Sequence, residues 1–266
     1  FSGFDFGTSN CAMGIINNDN EVRLLPIDKG EVFMPSTLYS LDRDLICESV
    51  ALLMTDKNSQ DDYMFQRTEQ LASSRRVHMN EDIPADMQAV FVGQEAYDQY
   101  LNFPGEGYFV KSIKSFLGSS GLHLKATELF EDIVTAMMLN IKHRAEASLG
   151  QTINHTVIGR PVNFQGLDSV ESNRRAIDIL TIAAKRAGFK SVEFLFEPLA
   201  AGLDFEMGLT ENKTVLVVDV GGGTTDCSMV SMGPSFRGKI SRLDDVLGLS
   251  LSHICRCPRA SLCSSR

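Results

Sequence analysis

The sequence predicts an α/β protein, and three observations carry that prediction. Apolar strands separated by polar turns fill the first forty residues; a helical period runs through Leu122 to Leu149 and gives way to alternating strands and helices; and the apolar strand TVLVVDV runs straight into Gly221, Gly222 and Gly223. The opening strands read FSGFDFG, CAMGII, VRLLPI and FMPSTLYS, with Asn17 to Asn20 where a hairpin needs turn residues. Residues 39–119 change character, and charged stretches with Met and Gln, such as DDYMFQRTEQLASS, predict an inserted, mainly helical subdomain. Leu129, Ile133, Met137 and Ile141 then recur on one helix face, with Phe130 and Met138 beside them. A strand at TVIG, an Ala- and Arg-rich helix from about Val170 to Ala187, a strand at VEFLFE and a helix starting at Pro198 follow. Proline suits a helix's first turn, where no amide donor is needed. CSMVSM reads as a further strand after the glycines.

Composition narrows the function. With 43% hydrophobic residues the chain can bury a large core, and a net charge of -9 gives no general attraction for nucleic acid or anionic lipid. No apolar run reaches the ~18 residues of a membrane span, and the chain opens on a strand without the basic and apolar regions of a secretory signal, which predicts a cytoplasmic protein. Cys11, Cys47 and Cys227 read as ordinary thiols. The missing initiator Met predicts a fragment of a longer reading frame. From Arg237 onward there are six Lys or Arg against two acids, the reverse of the balance before it, and residues 247–266 are expected to form an aberrant, out-of-frame tail. His253, Cys255, Cys257 and Cys263 lie there, but Cys-x-Cys is not the usual spacing of a zinc knuckle.

Two segments share one plan: an apolar strand, an Asp near its end, then Gly and Thr at a hairpin turn. They are Asp5-Phe6-Gly7-Thr8 and Asp219-Val220-Gly221-Gly222-Gly223-Thr224-Thr225-Asp226. Glycine at such turns adopts positive φ and lets amide donors approach phosphate oxygens with no Cβ in the way. Thr8 and Thr224 hydroxyls add donors. Aspartates beside a polyphosphate repel it unless a hard cation intervenes, and Mg²⁺, which keeps several waters and takes few carboxylates, fits that place. One Asp-x-Gly-Thr alone is usually a turn; two in one α/β chain predict a duplicated fold that clamps a nucleotide between lobes.

Through these hairpins and the segments between them, the chain resembles the DnaK-type heat-shock chaperones of the actin-like ATPase superfamily, over residues 3 to about 233. GFDFGTSN at Gly3 to Asn10 and VVDVGGGTTDCS at Val217 to Ser228 look like the family's two phosphate motifs. GRPVNF at Gly159 to Phe164 is similar to the segment of its switch proline, here Pro161; FEPLAAGLDFE at Phe196 to Glu206 resembles its active-site glutamate segment; VKSIKSFLG at Val110 to Gly118 matches its catalytic-lysine segment, with Lys114 preferred over Lys111. Within the family the chain looks most like the divergent bacterial YegD-type branch.

The resemblance implies an actin-like (ribonuclease H-like) fold. Residues 1–38 and 120–210 would form its first lobe, 39–119 the insert, and 211–246 the start of the second lobe. It further implies ATP and Mg²⁺ as cofactors, with Asp5, Asp219 and Asp226 around the metal's waters. Gly7, Thr8, Ser9, Asn10, Gly221, Gly222, Gly223 and Thr224 would lie on the phosphates. Lys114, Glu197 and Asp219 become the catalytic set, with the choice of base open between Asp219 and Glu197. In a full-length form the implied partners are unfolded polypeptides and co-chaperones, with no nucleic acid or membrane. Because the family's adenosine loop and peptide-binding domain are missing here, the chain as given is expected to bind ATP·Mg²⁺ weakly or not at all and to show no meaningful hydrolysis. Taken alone, Lys111 and Lys114 read as solvated surface and Glu197 as a favourable charge at a helix start. A small-molecule kinase or phosphatase of the same fold, a filament-forming protein and an inert product are the competing readings, and the Glu-Pro-x-Ala-Ala and Ile-Lys-x-x-Leu-Gly segments favour the chaperone.

Overall fold

The structure, a computed structural model, describes residues 1–17, 19, 21–119, 123–164, 169–221, 225–239 and 242–250. The chain divides into two compact units, Phe1–Gly159 with Phe164–Phe194, and Arg160–Asn163 with Leu195–Arg266. The four zinc-like residues of the tail lie outside the described residues.

In the larger unit β1 (Ser2–Phe6) alternates strictly, with Ser2, Phe4 and Phe6 inward and Gly3 and Asp5 outward, as a period of two requires. It pairs antiparallel with β2 (Asn10–Ile16), Phe4 opposite Met13 and Phe6 opposite Cys11. Strands β3 (Val22–Leu24) and β4 (Phe33–Pro35) both pair with β2, at opposite ends of it. On its other side β1 takes β8 (His155–Arg160) in parallel, and β9 (Ser191–Phe196) follows, so the order is β3-β2-β1-β8-β9 with β4 on β2. The first hairpin is therefore central in a six-stranded mixed sheet.

The helical period holds as α5 (Leu124–Leu149), which buries Ile133, Met137 and Ile141. It stops at Gly150, whose φ of 69° allows the left-handed cap that closes on the Glu146 carbonyl at 2.8 Å. Helix α6 (Ser169–Arg186) packs on α5 and buries Leu180 together with the small residues Ala176, Ala183 and Ala184.

The insert is more mixed than its composition suggests. It holds α1 (Ile46–Leu53), α2 (Lys57–Gln66), α3 (Thr68–Asn80) and α4 (Gln94–Asn102), but also a sheet β6-β5-β7 built from β5 (Thr37–Ser40), β6 (Val90–Val92) and β7 (Tyr108–Lys111). Strands of three or four residues are too short to show a period, and β5 is buried on both faces, so no alternation marks it. One charge cluster ties the insert to the helices. Arg67, between α2 and α3, donates from Nε to both Asp132 oxygens at 3.1 and 3.0 Å and from Nη2 to Glu131 at 2.7 Å, while Arg186 reaches the same Glu131 at 3.1 Å. Both guanidiniums lie over the Tyr63 ring.

The smaller unit contains α7 (Glu197–Met207), β10 (Lys213–Val220), β11 (Thr225–Met232) and β12 (Val246–Ser250), the strands forming one antiparallel sheet in that order. Its fully buried apolar residues are Leu199, Val230, Met232 and Val246. Along β10, Leu216, Val218 and Val220 stand 59%, 53% and 72% exposed, so one face of that edge strand is bare within the unit. Gly202 lets α7 lie close on β11, since a Cβ there would come within 1.8 Å of Met232 Cε. Two of the described basic residues after 236 are built into this unit: Arg242 forms a fork on buried Glu206 at 3.0 and 3.1 Å and bonds Asp245 at 2.7 Å, and Arg237 caps the end of α7 on the carbonyls of Glu206, Met207 and Leu209. Strand β12 runs on to Ser250, and residues 251–266 of the expected tail lie outside the described residues. Among the described residues no helix is long and apolar enough to cross a membrane.

Candidate functional site

The two hairpins belong to different units, and each has its own construction. In the first, Phe6 anchors β1 in the core and leaves Asp5 exposed one residue earlier. Gly7 is required here for space rather than for a positive φ: a Cβ would lie 2.2 Å from the Asn10 carbonyl oxygen and 3.4 Å from Asp5 Oδ1. Thr8 is half-buried, and Ser9 and Asn10 are exposed. Ser36 holds the turn from behind, its hydroxyl donating to Gly7 O at 2.6 Å and its amide to Ser9 O at 2.8 Å. Cys11 Sγ lies 3.3 Å from the same hydroxyl, and burial pushes its thiol up to about 12, so it is inert at neutral pH.

Lys114 reaches this hairpin's surroundings from the insert's last strand. The chain leaves β7 through Ser112, held in the left-handed region (φ 57°, ψ 39°), and winds into a 3₁₀ turn over Ile113–Phe116. Ile113 plugs into the core, which leaves Lys114 only 6% exposed with Nζ 3.4 Å from Gly159 O. Both Asp5 and Lys114 act electrostatically on the Cys11 thiol, in opposite directions, so the three share one neighbourhood. Lys111, by contrast, is exposed at the end of β7. The structure thus separates the two lysines that the sequence presents side by side.

In the smaller unit Glu197 opens α7 directly after β9, half-buried, with Pro198 buried behind it in the first turn. The arginine ahead of the flagged proline, Arg160, sits over the Phe196 ring at 4.9 Å and donates to Pro161 O and Val162 O, both at 3.1 Å. Burial lowers its pKa, and the Glu197 carboxylate beside it pulls the other way. Sequence reasoning passed over Arg160, although it stands next to Pro161 in GRPVNF. Asp219 is exposed, two residues before Gly221 as Asp5 is before Gly7. In the ladder Asp219 stands opposite Asp226, and Val220 opposite Thr225. Gly222, Gly223 and Thr224 lie outside the described residues, and Asp226 is placed by its backbone register alone. Among the described residues no three His, Cys, Asp or Glu side chains converge on one point.

The family model for Hsp70 protein matches residues 119–248. Over those residues the chain is similar to the Hsp70-type family. Its mixed sheet with covering helices is the actin-like ATPase fold of that family. The match takes in Glu197, Asp219, Gly221 to Thr224 and Asp226, whereas Asp5, the Gly7 to Asn10 turn and Lys114 fall before it. Similar curated Hsp70-type relatives are Heat shock 70 kDa protein 13 of Homo sapiens, of Bos taurus and of Mus musculus, each 24% identical over 230 residues, or 86% of this chain. The chain spans 43% of the length of these relatives. These matches bear on the Hsp70 family as a whole and not on the bacterial branch expected from the sequence.

Proposed function

We propose that this chain supplies the phosphate-binding parts of the ATPase site of an Hsp70-type chaperone, and that it binds ATP with Mg²⁺ through its two glycine hairpins. The observation that carries the reading is the repeat of one construction in two units: an outward Asp on an apolar strand, two residues before a glycine turn into an antiparallel partner. The residues suit the ligand. Gly7 leaves a cradle that a Cβ would fill, the exposed loop residues Ser9 and Asn10 border it, and a buried lysine stands in the same neighbourhood.

Asp5, Asp219 and Asp226 would hold the waters of the metal, a hard cation that takes few carboxylates. Mg²⁺ supplies charge neutralisation on the β- and γ-phosphates when bound. Lys114, kept from water by Ile113 and the Gly159 carbonyl, would stabilise charge on the terminal phosphate, an interaction strengthened by its low-dielectric setting. Glu197, steadied by Arg160, would order the attacking water or its base. Folding of client polypeptides and control by co-chaperones belong to the same proposal for the longer protein.

Calorimetric titration of the chain with ATP, with and without Mg²⁺, tests the reading. Binding is expected to require Mg²⁺ and to weaken at least tenfold in Asp219→Asn, which keeps the shape and removes the charge. Equal affinity without the metal, or in the variant, contradicts it.

A further inference from the structure

We infer that Ser36 is a positioning residue that fixes the first hairpin turn and the Lys114 turn against each other, an inference that rests on the phosphate-binding reading of both segments. Ser36 is 2% exposed and lies between β4 and β5, where the main sheet passes into the insert. Its backbone and side chain each hold one part of the site. The amide donates to Ser9 O at 2.8 Å, the hydroxyl donates to Gly7 O at 2.6 Å, and the carbonyl accepts from Ser112 N at 3.0 Å. Ser112 is the residue held at φ 57° from which the Lys114 turn begins, a left-handed conformation that a non-glycine residue keeps only where its surroundings hold it.

The direction of these bonds matters more than their number. Every described peptide is trans, so the N–H that follows a carbonyl points the opposite way. With the Gly7 and Ser9 carbonyls both drawn onto Ser36, the amides of Thr8 and Asn10 are turned away from it, toward the side on which Ser9 and Asn10 are exposed. Two amide donors aimed outward from a tight turn are what an anion-binding turn needs. The buried Cys11 thiol, which stays protonated, faces the Ser36 hydroxyl at 3.3 Å and leaves the hydroxyl proton to Gly7. Ser36 thus sets the aim of the loop donors and the start of the lysine turn together.

The test uses the whole chain and three variants: Ser36→Ala, Ser36→Thr and, as a control on packing, Cys11→Ala. Amide exchange without nucleotide is read at residues 8–10 and 112–117, and the dissociation constant for ATP·Mg²⁺ is measured alongside. Ser36→Ala is expected to speed exchange in both segments while leaving β10 and β11 unchanged, and to weaken ATP·Mg²⁺ about tenfold, the effect of losing one buried hydrogen bond. Ser36→Thr, which keeps the hydroxyl, should recover most of the affinity, and Cys11→Ala should stay within about twofold of the unaltered chain, because it loosens the same packing without freeing Gly7 O. Unchanged exchange in Ser36→Ala, acceleration in one segment alone, or an equal effect from Cys11→Ala overturns the inference. Failure of the unaltered chain to bind ATP·Mg²⁺ would overturn the phosphate reading instead, and the exchange of the unliganded variants would still decide whether Ser36 couples the two turns.

Discussion

The two glycine hairpins carry nearly the same residues in very different settings. The first lies in the middle of a six-stranded sheet, with strands on both sides and Ser36 bonded to the carbonyls of its turn. The second begins on β10, the edge of a three-stranded sheet, over a small core and with Leu216, Val218 and Val220 exposed. A turn motif states which groups can meet a phosphate; what surrounds it decides how firmly those groups are held. The first hairpin is therefore the one whose turn is held from outside, while the strand leading into the second has less packed against it.

The largest expected effect comes from removing what supports the first setting. Arg67→Ala leaves Asp132 buried with its principal partner gone, and loss of one member of such a cluster costs about 3–5 kcal/mol. Chemical denaturation followed by amide exchange should show the larger unit weakened by that amount while β10 and β11 hold; a change under about 1 kcal/mol would mean that the cluster does not anchor the insert.

A paired glycine substitution sharpens the contrast. At Gly7 the new Cβ meets a backbone oxygen 2.2 Å away, whereas at Gly202 it meets the flexible end of Met232. Gly7→Ala should destabilise by about 1–3 kcal/mol and abolish measurable ATP binding, and Gly202→Ala by roughly 1 kcal/mol with the Met side chain swinging aside. Equal tolerance at both sites, measured by thermal melting, would remove the argument that the first turn is sterically closed.

The smallest effect is a pH dependence confined to the insert. His78 on α3 has Nδ1 2.9 Å from Ile83 O and Nε2 2.7 Å from a Glu48 carboxylate oxygen on α1. Both partners are acceptors, so both ring nitrogens donate, and the imidazolium is favoured: the Ile83 carbonyl first and then Glu48 raise its pKa above the ordinary 6.5. A raised folded-state pKa gives stability that is complete below about pH 6.5 and lost as pH climbs through the folded value. Midpoints of unfolding at pH 6 and pH 8.5 should differ by less than about 1 kcal/mol, and by nothing attributable to this pair in His78→Gln.

Much of this architecture is legible in the sequence because it is periodic or local. The α5 stripe repeats at helical spacing across 26 residues, and both hairpins are contiguous patterns of strand, acid and glycine. What escaped is non-local. Arg67 meets Asp132 across 65 positions, and nothing in a charged, Gln-rich stretch marks one arginine as buried. Ser36 lies 29 residues from the carbonyl it holds, in a strand-like segment where serine carries no signal. The basic residues after 236 are a change of composition when read along the chain, yet the described Lys239 and Arg242 pair with Glu206 and Asp245 when folded. Composition sees charge and not the partner.

The most direct test of the proposal that both hairpins take part in binding ATP with Mg²⁺ is amide exchange at residues 7–10 and 221–225 with and without ATP·Mg²⁺. Slowing in both segments together is the predicted result. Slowing in one hairpin alone, or in neither at saturating ligand, would contradict it.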